Sequence, residues 1–154
     1  MRLFHLLLIA FIFNSGLSFG QLPSKFEKLE GTWRYKEGSG YEVWKKQDDK
    51  LVGYTYRITK LGDTSRVEDM VLAKFNNTTV YNHTTYNVVN DSLITTEHQF
   101  VGSKRKMEFF KISESVPYSI EYKFGFFNRN KLKVLVRNTI SDDPIKFTLH
   151  RIKE

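Results

Sequence analysis

The chain has 154 residues, no cysteine, 24 Lys+Arg against 17 Asp+Glu, and a formal net charge of +7. That length holds one domain, and 40% hydrophobic with 27% charged residues is a globular rather than a disordered balance. Without cysteine the chain can build no disulfide framework, thiolate nucleophile, zinc knuckle or iron–sulfur cluster.

Residues 1–20 read as a secretory signal peptide. Arg2 gives a positive start, Leu3 to Phe13 is apolar apart from His5, and Asn14-Ser15-Gly16 breaks the run. Ser18 and Gly20 then place small side chains where a signal peptidase cuts, ahead of Gln21. The apolar run is shorter than the ~20 residues a spanning helix needs. The expectation is a secreted or periplasmic protein, cleaved after Gly20, whose domain is residues 21–154. Losing the leader removes His5 and one positive charge.

Next comes a short helical turn, with Pro23 and Ser24 leading into Lys25–Leu29 and Phe26 and Leu29 sharing a face. From Gly31 onward β-branched and aromatic residues alternate with polar ones, and turn residues interrupt them at short intervals. Ten strands follow: Trp33–Lys36, Tyr41–Lys46, Leu51–Lys60, Val67–Phe75, Thr79–Val88, Leu93–Phe100, Lys106–Ile112, Tyr118–Phe124, Lys131–Arg137 and Ile145–Ile152. Ile145, Phe147 and Leu149 share one face of the last strand, and Leu132, Val134 and Val136 one face of the ninth, so each has one wet and one buried side. Short connections favour antiparallel neighbours. The fold class predicted is all-β: a single antiparallel meander of about 8–10 strands, closed into a barrel because closure removes exposed edges.

Gly31-Thr32-Trp33 at the first strand and Arg151 at the end of the last resemble the lipocalin (calycin) arrangement. There a Gly-x-Trp motif packs against a basic residue of the final strand and closes the barrel floor. The physical basis is a guanidinium on an indole face. Leu29–Trp33, Tyr41-Glu42-Val43-Trp44, Leu51-Val52-Gly53 and Lys146–Arg151 are similar to segments of a bacterial lipocalin-like secreted family of unknown function. Glu114–Pro117 stands where that family has an acidic-aromatic turn, whose character is lost here at Ser115 and Val116. The resemblance implies the barrel fold and no particular activity.

Several residues are candidates for chemistry. Glu42 and Trp44 lie two apart on one strand, hence on one face. Pointing inward, they would set a carboxylate beside an indole at a pocket wall. A buried Glu42 needs a partner, for which Arg57, Arg66 and Arg137 are available. Tyr118, Ile120, Tyr122 and Phe124 share a face and, with Tyr54 and Tyr56, offer an aromatic cup. Glu97 and His98 are adjacent and so point to opposite faces. His83 and His98 fall on successive strands, but no His-x-His or Cys spacing supports a metal. Motifs for a nucleophile elbow, phosphate loop or zinc protease are absent. Lys104-Arg105-Lys106 is the densest basic cluster, and the other basic residues are scattered.

These observations predict a secreted monomeric barrel that binds a small, mostly apolar molecule without covalent chemistry. Glu42, Trp44, Tyr56 and Tyr122 are its expected contacts, and Trp33 with Arg151 its structural closure. No metal, cofactor, nucleic-acid partner or membrane span is expected after cleavage. Two alternatives stay open: a barrel enzyme of isomerase or hydrolase type using Glu42 or His98 as acid/base, and a filled structural or surface-interaction domain.

Overall fold

Alternation and turn chemistry produce ten strands in the computed structural model, which describes residues 20–87, 92–102, 106–112, 119–137 and 143–152. Residues 1–19 of the expected leader, Lys104 and Arg105, Glu114–Pro117 and Tyr118 lie outside the described residues. A 3₁₀ helix, Ser24–Leu29, precedes β1 (Gly31–Tyr35), β2 (Gly40–Gln47), β3 (Lys50–Ile58), β4 (Thr64–Phe75) and β5 (Thr78–Asn87). The remaining strands are β6 (Ser92–Phe100), β7 (Met107–Lys111), β8 (Ser119–Phe124), β9 (Lys131–Arg137) and β10 (Ile145–Arg151). Each strand pairs antiparallel with the next, and β1 pairs with β10, so the meander closes on itself. This is the all-β barrel that the sequence predicts. No helix among the described residues is long and apolar enough to cross a membrane.

Strand limits agree with the alternation to within two residues except at β4, which begins at Thr64 rather than Val67. Thr55 pairs with Glu68 but its neighbour Tyr56 pairs with Arg66, leaving Val67 as an extra residue. Such a bulge re-aims the side chains on either side of it. Period-two reading fails across that point, which is why the first turn of pairing was not visible in the pattern.

The two ends of the barrel differ. At one end Phe26, Leu29, Trp33, Leu72, Phe109, Leu132 and Leu149 have no exposure, and burying each such side chain contributes ~1.5–3 kcal/mol. The 3₁₀ helix lies across this end, with Phe26 edge-on to Phe100 at 5.3 Å. The Trp33 indole donates to the Leu29 carbonyl at 2.7 Å. The Arg151 guanidinium lies 4.1 Å over the Trp33 ring and donates to the carbonyls of Glu30 and of Lys28. Gly31 has φ 114°, and a Cβ there would meet the Arg151 guanidinium at 2.6 Å. Glycine is therefore required both for the backbone and for the approach of the arginine. This end is closed and packed; the other is hollow.

Candidate functional site

The site is built by strand parity. Trp33 and Tyr35 face inward on β1, Glu42 and Trp44 on β2, Leu51, Gly53 and Thr55 on β3, and Ile120 and Tyr122 on β8, as pairing and burial show. Above the packed half, a cavity of about 480 Å³ opens at the end where β1 ends and β2 begins. One wall, from β8, β9 and β10, is apolar: Ile120, Val134, Val136, Ile145 and Phe147. The opposite wall, from β2 to β5, is polar: Glu42, Thr55, Arg57, Glu68 and His83. Tyr81, Tyr122 and Met70 lie deepest, and Glu37 to Gly40 form part of the rim.

Glu42 is the centre of the polar side, 2% exposed. Its Oε1 accepts from the Trp44 indole at 2.6 Å and its Oε2 from the Tyr35 hydroxyl at 3.3 Å. The Tyr122 side chain, on the same interior, also favours the charged carboxylate, and its ring stands 6.3 Å from that of Tyr81. Burial pushes the Glu42 carboxyl up to about 7, against the hydrogen bonds that favour its charged form. Burial, and after it the Glu42 charge, holds the Tyr35, Tyr81 and Tyr122 hydroxyls well above the ordinary tyrosine range. Near neutral pH Glu42 is therefore a carboxyl that can give or take a proton, flanked by phenols that stay protonated.

The partners of Glu42 correct one expectation from the sequence. None of the three candidate arginines reaches it. Arg66 pairs with Asp69 on the outer wall, and Arg137 with Glu108 and Glu121 at 3.4 and 3.2 Å. Arg57 stands near Glu68, where its charge partly opposes the rise that burial gives the Glu68 carboxyl. Two neutral donors stand in place of a counter-ion: Tyr35 from the paired strand β1 and Trp44 from β2 itself.

The other expected residues are divided. Trp44 is 1% exposed beneath the cavity, with its ring over the backbone of Gly53. A Cβ at Gly53 would sit 2.7 Å from the indole. Tyr122 joins Glu42 at the cavity base. Tyr54 and Tyr56 go to the outer wall, because Leu51, Gly53 and Thr55 take the inner one. Tyr56 stacks on Tyr41 at 4.9 Å with planes 7° apart, and it borders the cavity only at its mouth.

His98 is buried in the wall beside His83, with ring centroids 5.3 Å apart. The cavity lining on that side is His83 and Tyr81. Burial, with the neighbouring His83, pulls His98 down to about 4, so it is a neutral imidazole at physiological pH. Burial lowers His83 too. Among the described residues no three His, Cys, Asp or Glu side chains gather as metal ligands do.

Tyr35, Glu68 and Tyr81 line the cavity without having been candidates in the sequence, and His83, considered there only as a metal ligand, lines it too. Parity with Trp33 would have found Tyr35. The bulge at Val67 hid Glu68. Compared with known proteins, the chain matches no family model and no curated sequence.

Proposed function

We propose that the protein is a lipocalin-like carrier that takes one small, mostly apolar molecule non-covalently into the open half of its barrel. The observation that carries this reading is the two-sided cavity: an apolar wall on β8–β10, and a buried carboxyl–phenol network at its base. Ligand sites of roughly 300–1,000 Å³ with apolar walls and a few convergent polar groups have this character. The ligand's apolar body would lie on Ile120, Val134, Val136 and Phe147. Its one polar end would meet Glu42 and the tyrosine hydroxyls. The Gly31-x-Trp33 segment stacked under Arg151 supports grouping the chain with lipocalin-like barrels, and the apolar leader of residues 1–20 supports secretion.

Native mass spectrometry of the protein purified from its own cell envelope tests the reading. A bound small molecule at near one-to-one ratio is expected. It should be absent from a Val136→Trp variant, whose indole fills the cavity. A ligand-free mass for both proteins, with no ligand taken up from an envelope extract, would overturn it.

A second reading rests on Glu42 itself. A carboxyl held near 7 at the base of a cavity is suited to general acid/base work in an isomerase or hydrolase. Under this reading a turnover would follow a single ionisation near pH 7 and vanish in Glu42→Gln. His98, neutral and behind the lining, would play no part in it.

A further inference from the structure

The β8–β9 hairpin carries a feature that neither the cavity nor the core uses. Phe126 and Phe127, at its tip, are 92% and 96% exposed. They pack edge-to-face on each other at 4.7 Å and belong to no part of the buried core. The tip is ordered by its own bonds: Gly125 N–H donates to the Lys131 carbonyl at 2.9 Å, and Asn130 N–H to the Asn128 side chain at 2.9 Å. Arg151 N–H donates to the Asn130 carbonyl at 2.8 Å, which ties the tip to β10. Two adjacent aromatics held this far into water are unusual for a surface turn.

The charge along the hairpin itself has one sign. From Tyr122 to Arg137 the chain contains Lys123, Arg129, Lys131, Lys133 and Arg137, and no Asp or Glu. Lys123 pairs directly with Lys133 across the two strands, a like-charge pair that weakens a hairpin unless something neutralises it. Among the described residues, no carboxylate lies within ion-pair distance of Lys123, Arg129, Lys131 or Lys133.

We infer that this hairpin docks the protein on an anionic lipid bilayer, with Phe126 and Phe127 seated among the headgroups and Lys123, Arg129, Lys131 and Lys133 over acidic phosphates. Aromatic side chains enter the boundary between headgroup and acyl chain, and basic residues beside them add electrostatic attraction. The two contributions add, so anionic lipid should strengthen what the aromatics begin. A second copy of the chain fits less well, because two such hairpins would bring their lysines together. The tip projects from the packed end, where Leu132 pairs with Phe124 and Leu149. The cavity opens at the opposite end, so a docked barrel keeps its mouth turned away from the bilayer.

Vesicle co-sedimentation of the full barrel tests this, using phosphatidylglycerol/phosphatidylcholine vesicles against phosphatidylcholine alone. Binding to the anionic vesicles alone is expected, weakening with salt. The Phe126→Ser/Phe127→Ser double variant should bind at least ~10-fold more weakly. Its melting temperature should be unchanged, because the rings touch no core residue. The indole of a Phe127→Trp variant should blue-shift on vesicles and be quenched by brominated lipid, a readout that does not need the double variant to fold. The inference is overturned by any of three results: no preference for anionic vesicles, equal binding without the Phe pair, or a Phe-dependent dimer that ignores vesicles.

Discussion

Trp44 donates its indole N–H to Glu42, two residues before it on the same strand, at 2.6 Å. The two side chains lie on one inner face, so a single strand supplies both the buried acid and its strongest donor. Charge-assisted bonds of this kind are about twice as strong as neutral ones. Yet burial holds Glu42 near 7, outweighing the Trp44 and Tyr35 hydrogen bonds that favour its anion. The indole orients the carboxyl without fully ionising it.

Glu42 should make stability fall as pH rises. Between about 4.5 and about 7 the folded protein holds a proton that the unfolded chain has released. Folding is therefore favoured fully below that window and progressively less within it, by about 3 kcal/mol at most. His98 has the opposite sign. Between about 4 and 6.5 the unfolded chain holds a proton that the buried imidazole lacks, so stability falls as pH drops through that range. The wild-type curve is expected to be nearly flat from pH 5 to 6.5, where the two slopes oppose each other. Urea unfolding across pH should show Glu42→Gln gaining stability with rising pH and His98→Gln losing it. Parallel curves for all three proteins would refute the assignment.

Gly53→Ala should destabilise the barrel by about 1–3 kcal/mol, because the new methyl group meets the Trp44 ring and cannot be avoided without moving it. The check is chemical unfolding together with tryptophan emission, which should shift as the indole leaves Glu42. A matched Gly53→Ala/Trp44→Phe double variant should recover part of the loss.

Arg151→Lys should cost about 2–4 kcal/mol even though charge is kept. A guanidinium reaches the Glu30 and Lys28 carbonyls and covers Trp33 at once; an ammonium cannot do all three. Arg151→Met should cost at least as much. Thermal melts of the two variants read this, and a lysine variant equal to wild type would mean that the arginine contributes only charge.

Val136→Phe should reduce uptake of any cavity ligand by more than ~10-fold while changing stability by less than about 1 kcal/mol, since it fills space rather than crowding a packed core. A large stability loss with binding retained would place the ligand elsewhere.

Much of the fold was legible because turn residues separate strands whose alternation is regular. Ile145-Phe147-Leu149 and Leu132-Val134-Val136 declared their inner faces, and those faces do pair with each other across β9 and β10. The site was less legible. Glu42 and Trp44 share a face by spacing alone, but whether that face is wet or dry depends on the glycine opposite, Gly53, which makes room for the indole. Tyr56 has the composition of a binding residue and the parity of an outer one. The Tyr35 donor to Glu42 could not be read from spacing within one strand, because it comes from β1, whose register against β2 only the folded barrel sets. Glu68 sits just past a bulge that resets the pattern.

The β1–β10 seam sets the order in which this chain can fold. Every other strand pair joins neighbours in sequence, but the bond from Arg151 to the Glu30 carbonyl spans 121 residues. Loop closure of that span must come before any reward from Trp33 and Arg151, so the seam is expected to zip last and slowly. Until it does, β1 and β10 are open edges able to recruit strands from other copies. Refolding yield should therefore fall with protein concentration. Arg151 variants should lower it further, by prolonging the time spent as an unclosed sheet.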